Sequence, residues 1–198
     1  MQLDYPQIKV ERKTGEERFS YRENKLDLNL RSFWQWSASD LVSNAARGVL
    51  AEYIVANALG IAGGLRAEWD AFDLLTTDGV RIEVKSGAYI QTWYHKNLSK
   101  ITFSIRPSKS WSAETNKLST DFRRQAEIYV FCVLAHTEQD SIDPMNLDQW
   151  EFYILRSDVL DAACPTQKTI GLSSLLNLEP YRAKYDEIAA CVEKARKK

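Results

Sequence analysis

The sequence predicts an α/β domain in which helices flank a central mixed β-sheet of about five strands. Three observations support this prediction. A helix-length segment is followed by two short β-type segments around the turn Thr77-Asp78-Gly79. A continuous apolar run, Ile128–Leu134, is typical of a central strand covered on both faces. Helical segments then close the chain, whose 198 residues, 44% of them hydrophobic, suit one domain with a sizeable core.

The first predicted helix begins at Asp40 or Ser43 and ends at Leu59. Three residues share one of its faces at helical spacing: Val49, Tyr53 and Ala56. Gly60 suits the position just after the helix, because glycine readily adopts the left-handed conformation there. We expect the apolar face to pack on the sheet, with Glu52 at its edge.

The remaining elements follow from alternation, apolar runs and turn residues. Strands are predicted at residues 69–76, 80–86, 101–106, 128–134 and 150–155. A helical turn is predicted at 173–178 and an amphipathic helix at 181–197. We expect a single domain over residues 1–198, with a core at about 40–160 and decorations at 1–39 and 165–198. The aromatic cluster Phe33-Trp34-Gln35-Trp36 is expected to pack on the main body.

Charge is distributed unevenly along the chain, although the formal net charge is only −1. Tyr94–Arg124 holds seven Lys or Arg against two acids, whereas Thr137–Asp161 holds seven acids against one Arg. Phosphate contacts are therefore assigned to basic residues of the first segment: Lys96, Lys100, Arg106, Lys109, Arg123 and Arg124. For the charge pattern taken alone, two solvated faces are the preferred interpretation. Packing is likewise preferred over base stacking for Trp93, Tyr94 and Trp111.

Several classes of protein are disfavoured. No signal-peptide pattern opens the chain, and the longest apolar stretch is far too short to span a membrane. Three widely spaced cysteines form no zinc pattern and suggest reduced thiols in a cytoplasmic protein. Without a glycine-rich phosphate loop, we expect no nucleotide cofactor.

The chemically informative residues lie around the predicted hairpin. Glu83 and Lys85 alternate with Ile82 and Val84, so both charged side chains project to one face, about 7 Å apart along the strand. If residues 77–79 form a three-residue loop, Asp73 lies opposite Glu83, with Cβ atoms about 5 Å apart. A two-residue loop would instead pair Asp73 with Val84. The proposed site therefore depends on the register of the hairpin.

Two adjacent carboxylates repel each other unless a cation takes up their charge. Mg²⁺, for which Mn²⁺ can substitute, accepts carboxylate and water oxygens. Such an ion polarises a phosphodiester and lowers the pKa of a bound water. Lys85 would add positive charge where negative charge develops in the transition state. Asp73, Glu83 and Lys85 therefore predict metal-dependent hydrolysis of phosphodiester bonds.

Asp73, followed ten residues later by Glu83-Val84-Lys85, resembles the signature of the PD-(D/E)xK, restriction-endonuclease-like nucleases, and Ser86-Gly87 extends the likeness to an uncharacterised bacterial and phage branch. Phe72 replaces the proline of the motif. The resemblance covers about residues 46–131 and implies a restriction-endonuclease-like core. It further implies Glu52 as a catalytic and metal-binding acid, the carbonyl of Val84 as a metal ligand, Gln91 and Ser86 as auxiliary residues, and a homodimer acting in defence or DNA processing.

Other interpretations stay open. Glu83 and Lys85 can be the exposed face of an edge strand, where lysine prevents aggregation, with Asp73 a simple strand-end residue. The same fold can serve as a catalytically weak DNA-binding module. The acidic region 138–161 can serve a protein-interaction domain. A different hydrolase with paired carboxylates is disfavoured by the adjacent Lys85.

Overall fold

The computed structural model describes residues 5, 8–66, 71–112 and 116–197. Its helices are α1 (Leu30–Ala38), α2 (Asn44–Ala58), α3 (Ser157–Ala163), α4 (Leu172–Leu176) and α5 (Ile188–Lys197). Its strands are β1 (Arg18–Tyr21), β2 (Asn24–Asn29), β3 (Leu74–Leu75), β4 (Arg81–Ala88), β5 (Thr102–Ser104), β6 (Ser108–Ser112), β7 (Lys117–Arg123), β8 (Ile128–Leu134), β9 (Trp150–Arg156), β10 (Thr169–Gly171) and β11 (Tyr181–Ala183). The α/β prediction is confirmed.

Five strands form the central mixed sheet, in the order β11-β9-β8-β4-β3. β4 and β8 run parallel, and the other neighbouring pairs run antiparallel. All seven residues of β8 are buried, as the continuous apolar run predicts. The sheet therefore has a fully covered centre, and β4 lies between this centre and the short edge strand β3.

The two faces of the sheet pack against different layers. On one face, Ile82 and Val84 of β4 join a core cluster with residues of α2 and α5. On the other face, Phe131 of β8 belongs to a second cluster, which includes Phe103 of β5 and Leu160 of α3. Burying each such side chain contributes roughly 1.5–3 kcal/mol. β4 therefore lies in a sheet that is covered on both faces.

The composition of the central sheet differs from the prediction in two strands. The strand predicted at residues 101–106 forms β5, which pairs with β10 in a separate two-stranded sheet. The fifth strand is β11, where the start of a helix was predicted. Its Ala183 is only 2% exposed, so pairing with β9 buries it, and α5 begins later, at Ile188. Of the strand predicted at 69–76, only β3 is formed within the described residues, and positions 67–70 lie outside them.

Helix α2 has the predicted position but faces the sheet differently. The Ser43 side chain caps its N-terminus, and Gly60 follows its end with φ +69°. Val49 and Tyr53 are 46% and 56% exposed, so they do not pack as predicted, whereas Ala56, the third residue of the predicted face, is buried. The buried face instead consists mainly of Ala51, Ile54 and Val55.

The N-terminal segment folds as the β1–β2 hairpin followed by α1. No residue of α1 is buried, and Trp36 is 85% exposed, so the predicted packing of the aromatic cluster on the main body is wrong. Trp34 lies instead against Gly15, where an added Cβ would come within 3.0 Å of the indole. The three cysteines are free and buried, as expected. None of the helices in the described ranges is long and apolar enough to cross a membrane.

Candidate active site

The hairpin between β3 and β4 has the register that the candidate site requires. Leu74 pairs with Ile82 and Leu75 with Arg81, and the amide of Thr76 donates to the carbonyl of Val80 at 3.0 Å. Residues 77–79 therefore form the three-residue loop. Gly79 closes it with φ +87°, a conformation that glycine adopts without strain. Of the two registers that the sequence left open, the hairpin has the one that places Asp73 opposite Glu83.

Asp73 lies immediately before β3, at the edge of β4. Its amide donates to the carbonyl of Ile82 at 3.0 Å, and its carboxylate Oδ2 accepts the amide of Val84 at 2.7 Å. The carboxylate thus takes the place of a ladder partner just before β3 begins. Because the N–H and C=O of one strand residue point the same way, the carbonyl of Val84 faces this same edge.

Glu83 and Lys85 project from β4 to the face opposite Ile82 and Val84. Their side chains are 19% and 27% exposed and form an ion pair with each other. In the parallel register, Glu83 lies beside Tyr129 and Lys85 beside Phe131 of β8. The charged pair therefore lies beside two aromatic residues of β8 and is exposed enough for a substrate to reach it.

The field at Asp73 is dominated by burial and negative charge. Burial, the neighbouring Glu83 and, to a smaller extent, Glu52 raise the pKa of Asp73, while Lys85 and the Val84 amide lower it, and together they raise it to about 6. Lys85 therefore only partly balances the acids around Asp73. A divalent cation binding between Asp73 and Glu83 would favour their charged forms, which is the donor chemistry that Mg²⁺ requires.

Glu52 borders this site but is engaged elsewhere. It is 9% exposed on α2, and Arg66 binds both of its carboxylate oxygens, with Nη2 donating to Oε1 at 3.0 Å. Within the described part of the chain, no group of three or more His, Cys, Asp or Glu side chains is arranged to hold a metal ion. The predicted set of three acids is therefore not assembled, and Glu52 is ion-paired with Arg66 instead. Apart from its charge, nothing in the sequence indicates that Arg66 pairs with Glu52.

The two predicted auxiliary residues are not directed at Glu83 and Lys85. Gln91 is 7% exposed, and its amide is engaged on both sides: Nε2 donates to the Ala88 carbonyl at 2.9 Å, and Oε1 accepts Nη1 of Arg47 at 3.4 Å. Ser86 alternates with Lys85 along β4, so it lies on the opposite face of the strand. Arg47 was not predicted as part of any site.

Five of the six predicted phosphate-binding residues are exposed and make no ion pair within the described ranges: Lys96, Lys100, Arg106, Lys109 and Arg123. The assignment of Arg124 is wrong. Its side chain is 0% exposed and pairs with Asp161. It also donates to the carbonyls of Ile105 at 2.9 Å and Cys164 at 2.7 Å. Arg124 is therefore a structural residue that joins β7 to α3.

Comparison with protein families supplies independent evidence. The family model described as bacteriophage T4 endonuclease IV matches residues 6–174. No curated protein and no solved structure matches the chain. The matched region contains the β3–β4 hairpin, α2 and the exposed basic residues, so it covers the whole candidate site. The chain belongs to the bacteriophage T4 endonuclease IV family.

Proposed function

We propose that the chain is a metal-dependent endonuclease of the PD-(D/E)xK type, which hydrolyses phosphodiester bonds in DNA. Family membership supports the coarser statement, a DNA-cleaving nuclease. The finer statement rests on one observation: the Asp73 carboxylate is held against β4 by the Val84 amide, in the electrostatic field of Glu83 and Lys85. An acid on one strand, and an acid and a lysine on the next, is the arrangement that this chemistry needs.

In this mechanism, Asp73 and Glu83 would hold the metal ion, with the Val84 carbonyl available at the same edge. A bound Mg²⁺ supplies Lewis-acid polarisation of the phosphate and a more acidic water. Lys85 places an ammonium group beside the two acids and stabilises the charge that develops on the phosphate oxygens. Because Glu83 already pairs with Lys85, both residues are oriented before substrate arrives.

Glu52 has a supporting role in this proposal. Its negative charge is one of the causes that raise the pKa of Asp73, which supports an electrostatic role at the site. Direct or water-mediated metal contact requires the Arg66 ion pair to open, because Arg66 binds both oxygens. We therefore assign Asp73 and Glu83 as the principal metal ligands, and Glu52 as a nearby acid that contributes negative charge to the site.

The exposed basic residues would bind the DNA backbone. They lie after β4 and along β5 to β7, so they extend from the strand that carries Glu83 and Lys85. Contacts of this kind release counterions, which makes binding strongly dependent on salt. A homodimer and a role in defence or DNA processing stay predictions.

The acidic-region alternative is less favoured. Of the seven acids between residues 138 and 161, three are in ion pairs: Glu151 with Arg182, Asp158 with Arg156 and Asp161 with Arg124. These acids hold the protein's own elements together. The other alternative, a catalytically weak DNA-binding module of the same fold, is distinguished from the enzyme by the following experiment.

The experiment is a cleavage assay on plasmid and linear DNA with Mg²⁺, with Mn²⁺ and with EDTA. We expect wild type to cleave only with metal, and Asp73→Asn and Lys85→Ala each to lose at least about 100-fold in rate, as for removal of one group that stabilises the transition state. Lys25→Ala, at an exposed position on β2, is the matched control and should cleave like wild type. If Lys85→Ala and wild type cleave alike, the catalytic assignment fails.

A further inference from the structure

The segment after β4 displays large apolar side chains in water. Residues 89–99, called here the 89–99 loop, expose 54% of Trp93, 85% of Tyr94 and 49% of Leu98. Packing was the expected role of these two aromatic residues, and the structure contradicts it. Neighbouring exposed aromatic residues on a loop are a recurring feature of binding surfaces.

The 89–99 loop is nevertheless held firmly in shape. The amide of Ser99 donates to the carbonyl of Tyr89 at 2.8 Å and closes the loop at its base. Inside it, the amide of Gln91 donates to Nε2 of His95 at 3.3 Å. Thr92 Oγ1 donates to Oδ1 of Asp40 at 3.0 Å, which ties the loop to the segment before α2. Hydrogen bonds therefore fix the shape of the loop that carries the exposed aromatic residues.

Arg47 provides the buried anchor of this loop. It is 3% exposed in the first turn of α2, where it donates to the carbonyl of Val42 and to Oδ1 of Asn44, the latter at 2.6 Å. Its Nη1 also reaches Oε1 of Gln91 at 3.4 Å, while its Nε is buried with no hydrogen-bond partner among the described residues. Burying a guanidinium carries a desolvation penalty, so this position favours a role that an apolar residue would not fill.

The positive charge of the sequence around the loop favours a polyanionic partner. From Val84 to Ala113 the chain contains no Asp or Glu, but it contains five Lys or Arg: Lys85, Lys96, Lys100, Arg106 and Lys109. Lys96 and Lys100 are exposed beside the aromatic residues. A polyanion with flat apolar surfaces matches both properties, because bases stack on aromatic rings while the phosphates pair with lysines.

We propose that the 89–99 loop is a DNA-binding arm, in which Trp93 and Tyr94 contact bases and Arg47 is a positioning residue that acts through Gln91. This rests on the proposed function and names where its substrate is held. Tyr89, at the base of the loop, is four positions beyond Lys85, about 13 Å of strand at roughly 3.3 Å per residue. At about 3.4 Å per nucleotide, this places the base of the arm about four nucleotides from the proposed scissile phosphate.

The test measures binding of labelled oligonucleotides, single-stranded and duplex, in EDTA so that no cleavage occurs. We expect Trp93→Ala with Tyr94→Ala to weaken binding at least tenfold without lowering the melting temperature. Trp36→Ala, at an equally exposed aromatic residue of α1, is the control and should bind like wild type. Unchanged affinity of the double variant for both probes would overturn the proposal.

Anchoring is tested by a double-mutant cycle. Thr92→Val removes the exposed bond to Asp40, and Arg47→Met removes the buried contact to Gln91. Each should weaken binding in the wild-type background and have little further effect when Trp93 and Tyr94 are already alanine. Full additivity would overturn the positioning role, and Thr92→Val keeps this test valid if Arg47→Met unfolds.

The outcomes separate this proposal from the proposed function. If no variant or condition gives metal-dependent cleavage but the aromatic double variant binds weakly, the arm stands and the catalytic assignment falls. If wild type cleaves with Mg²⁺ and the double variant matches it in affinity and KM, the arm falls and the catalytic assignment stands.

Discussion

Replacing Asp73 with asparagine should stabilise the metal-free protein at neutral and alkaline pH. In the folded chain, burial and Glu83 raise the pKa of Asp73 from 3.8 to about 6. A difference of this size corresponds to about 3 kcal/mol of unfavourable free energy for the charged carboxylate in the folded state. Asparagine keeps an oxygen that can accept the Val84 amide but carries no charge, so it removes this penalty.

The pH dependence has a defined sign. Because the folded state binds the Asp73 proton more tightly than the unfolded state, wild-type stability falls as pH rises from about 4 to about 7. The Asp73→Asn variant lacks this loss. Its advantage should be small at pH 4 and reach about 3 kcal/mol at pH 8, or roughly 6–12 °C in melting temperature.

Thermal unfolding in EDTA at pH 4 and pH 8 measures this difference. Asp158→Asn is the control with the opposite sign, since Arg156 lowers the pKa of Asp158 and the exposed pair contributes under about 1 kcal/mol. Adding Mg²⁺ should stabilise wild type but not Asp73→Asn, by about 2.7 kcal/mol at a hundredfold excess over Kd. An Asp73→Asn variant no more stable than wild type at pH 8 in EDTA would refute the reasoning.

Two further predictions concern residues that shape the site. Arg124→Ala should lower the free energy of unfolding by about 3 kcal/mol, because it leaves the Ile105 and Cys164 carbonyls without their charged donor. Arg123→Ala, at an exposed position, should leave stability unchanged and weaken DNA binding. Equal stability of the two variants in denaturant titrations would contradict this. Gly79→Ala should cost roughly 1–2 kcal/mol, because alanine is strained at φ +87°, and should slow cleavage by disturbing the hairpin register, as thermal melts and cleavage rates would show; unchanged melting would contradict it.

The hairpin was predictable because its signals are local. Alternation along β4 fixes which side chains share a face, whereas the Thr77-Asp78-Gly79 turn left two registers open, of which the structure has that of the three-residue loop. Once the register is set, Asp73 must lie beside β4. The buried strand β8 was predictable for the same reason, since its apolar run needs no information from distant residues.

Contacts between distant residues were not predictable in this way. Arg66 and Glu52 are brought together only when the chain folds, so no local pattern in the sequence predicts their ion pair. Arg124 looked like a surface cation because its partner, Asp161, lies in a segment read only as acidic. Helix α2 is apolar around much of its circumference, so spacing alone did not identify its buried face.

The central claim is that Asp73 and Glu83 bind one cation beside Lys85. A crystal of the protein soaked in Mn²⁺ tests it most directly, through anomalous scattering collected from wild type and from Asp73→Asn. We expect a single peak between the Asp73 and Glu83 carboxylates in wild type that is absent from the variant. Manganese bound at another place in the chain, or wild-type crystals with both carboxylates free of metal at saturating Mn²⁺, would contradict it.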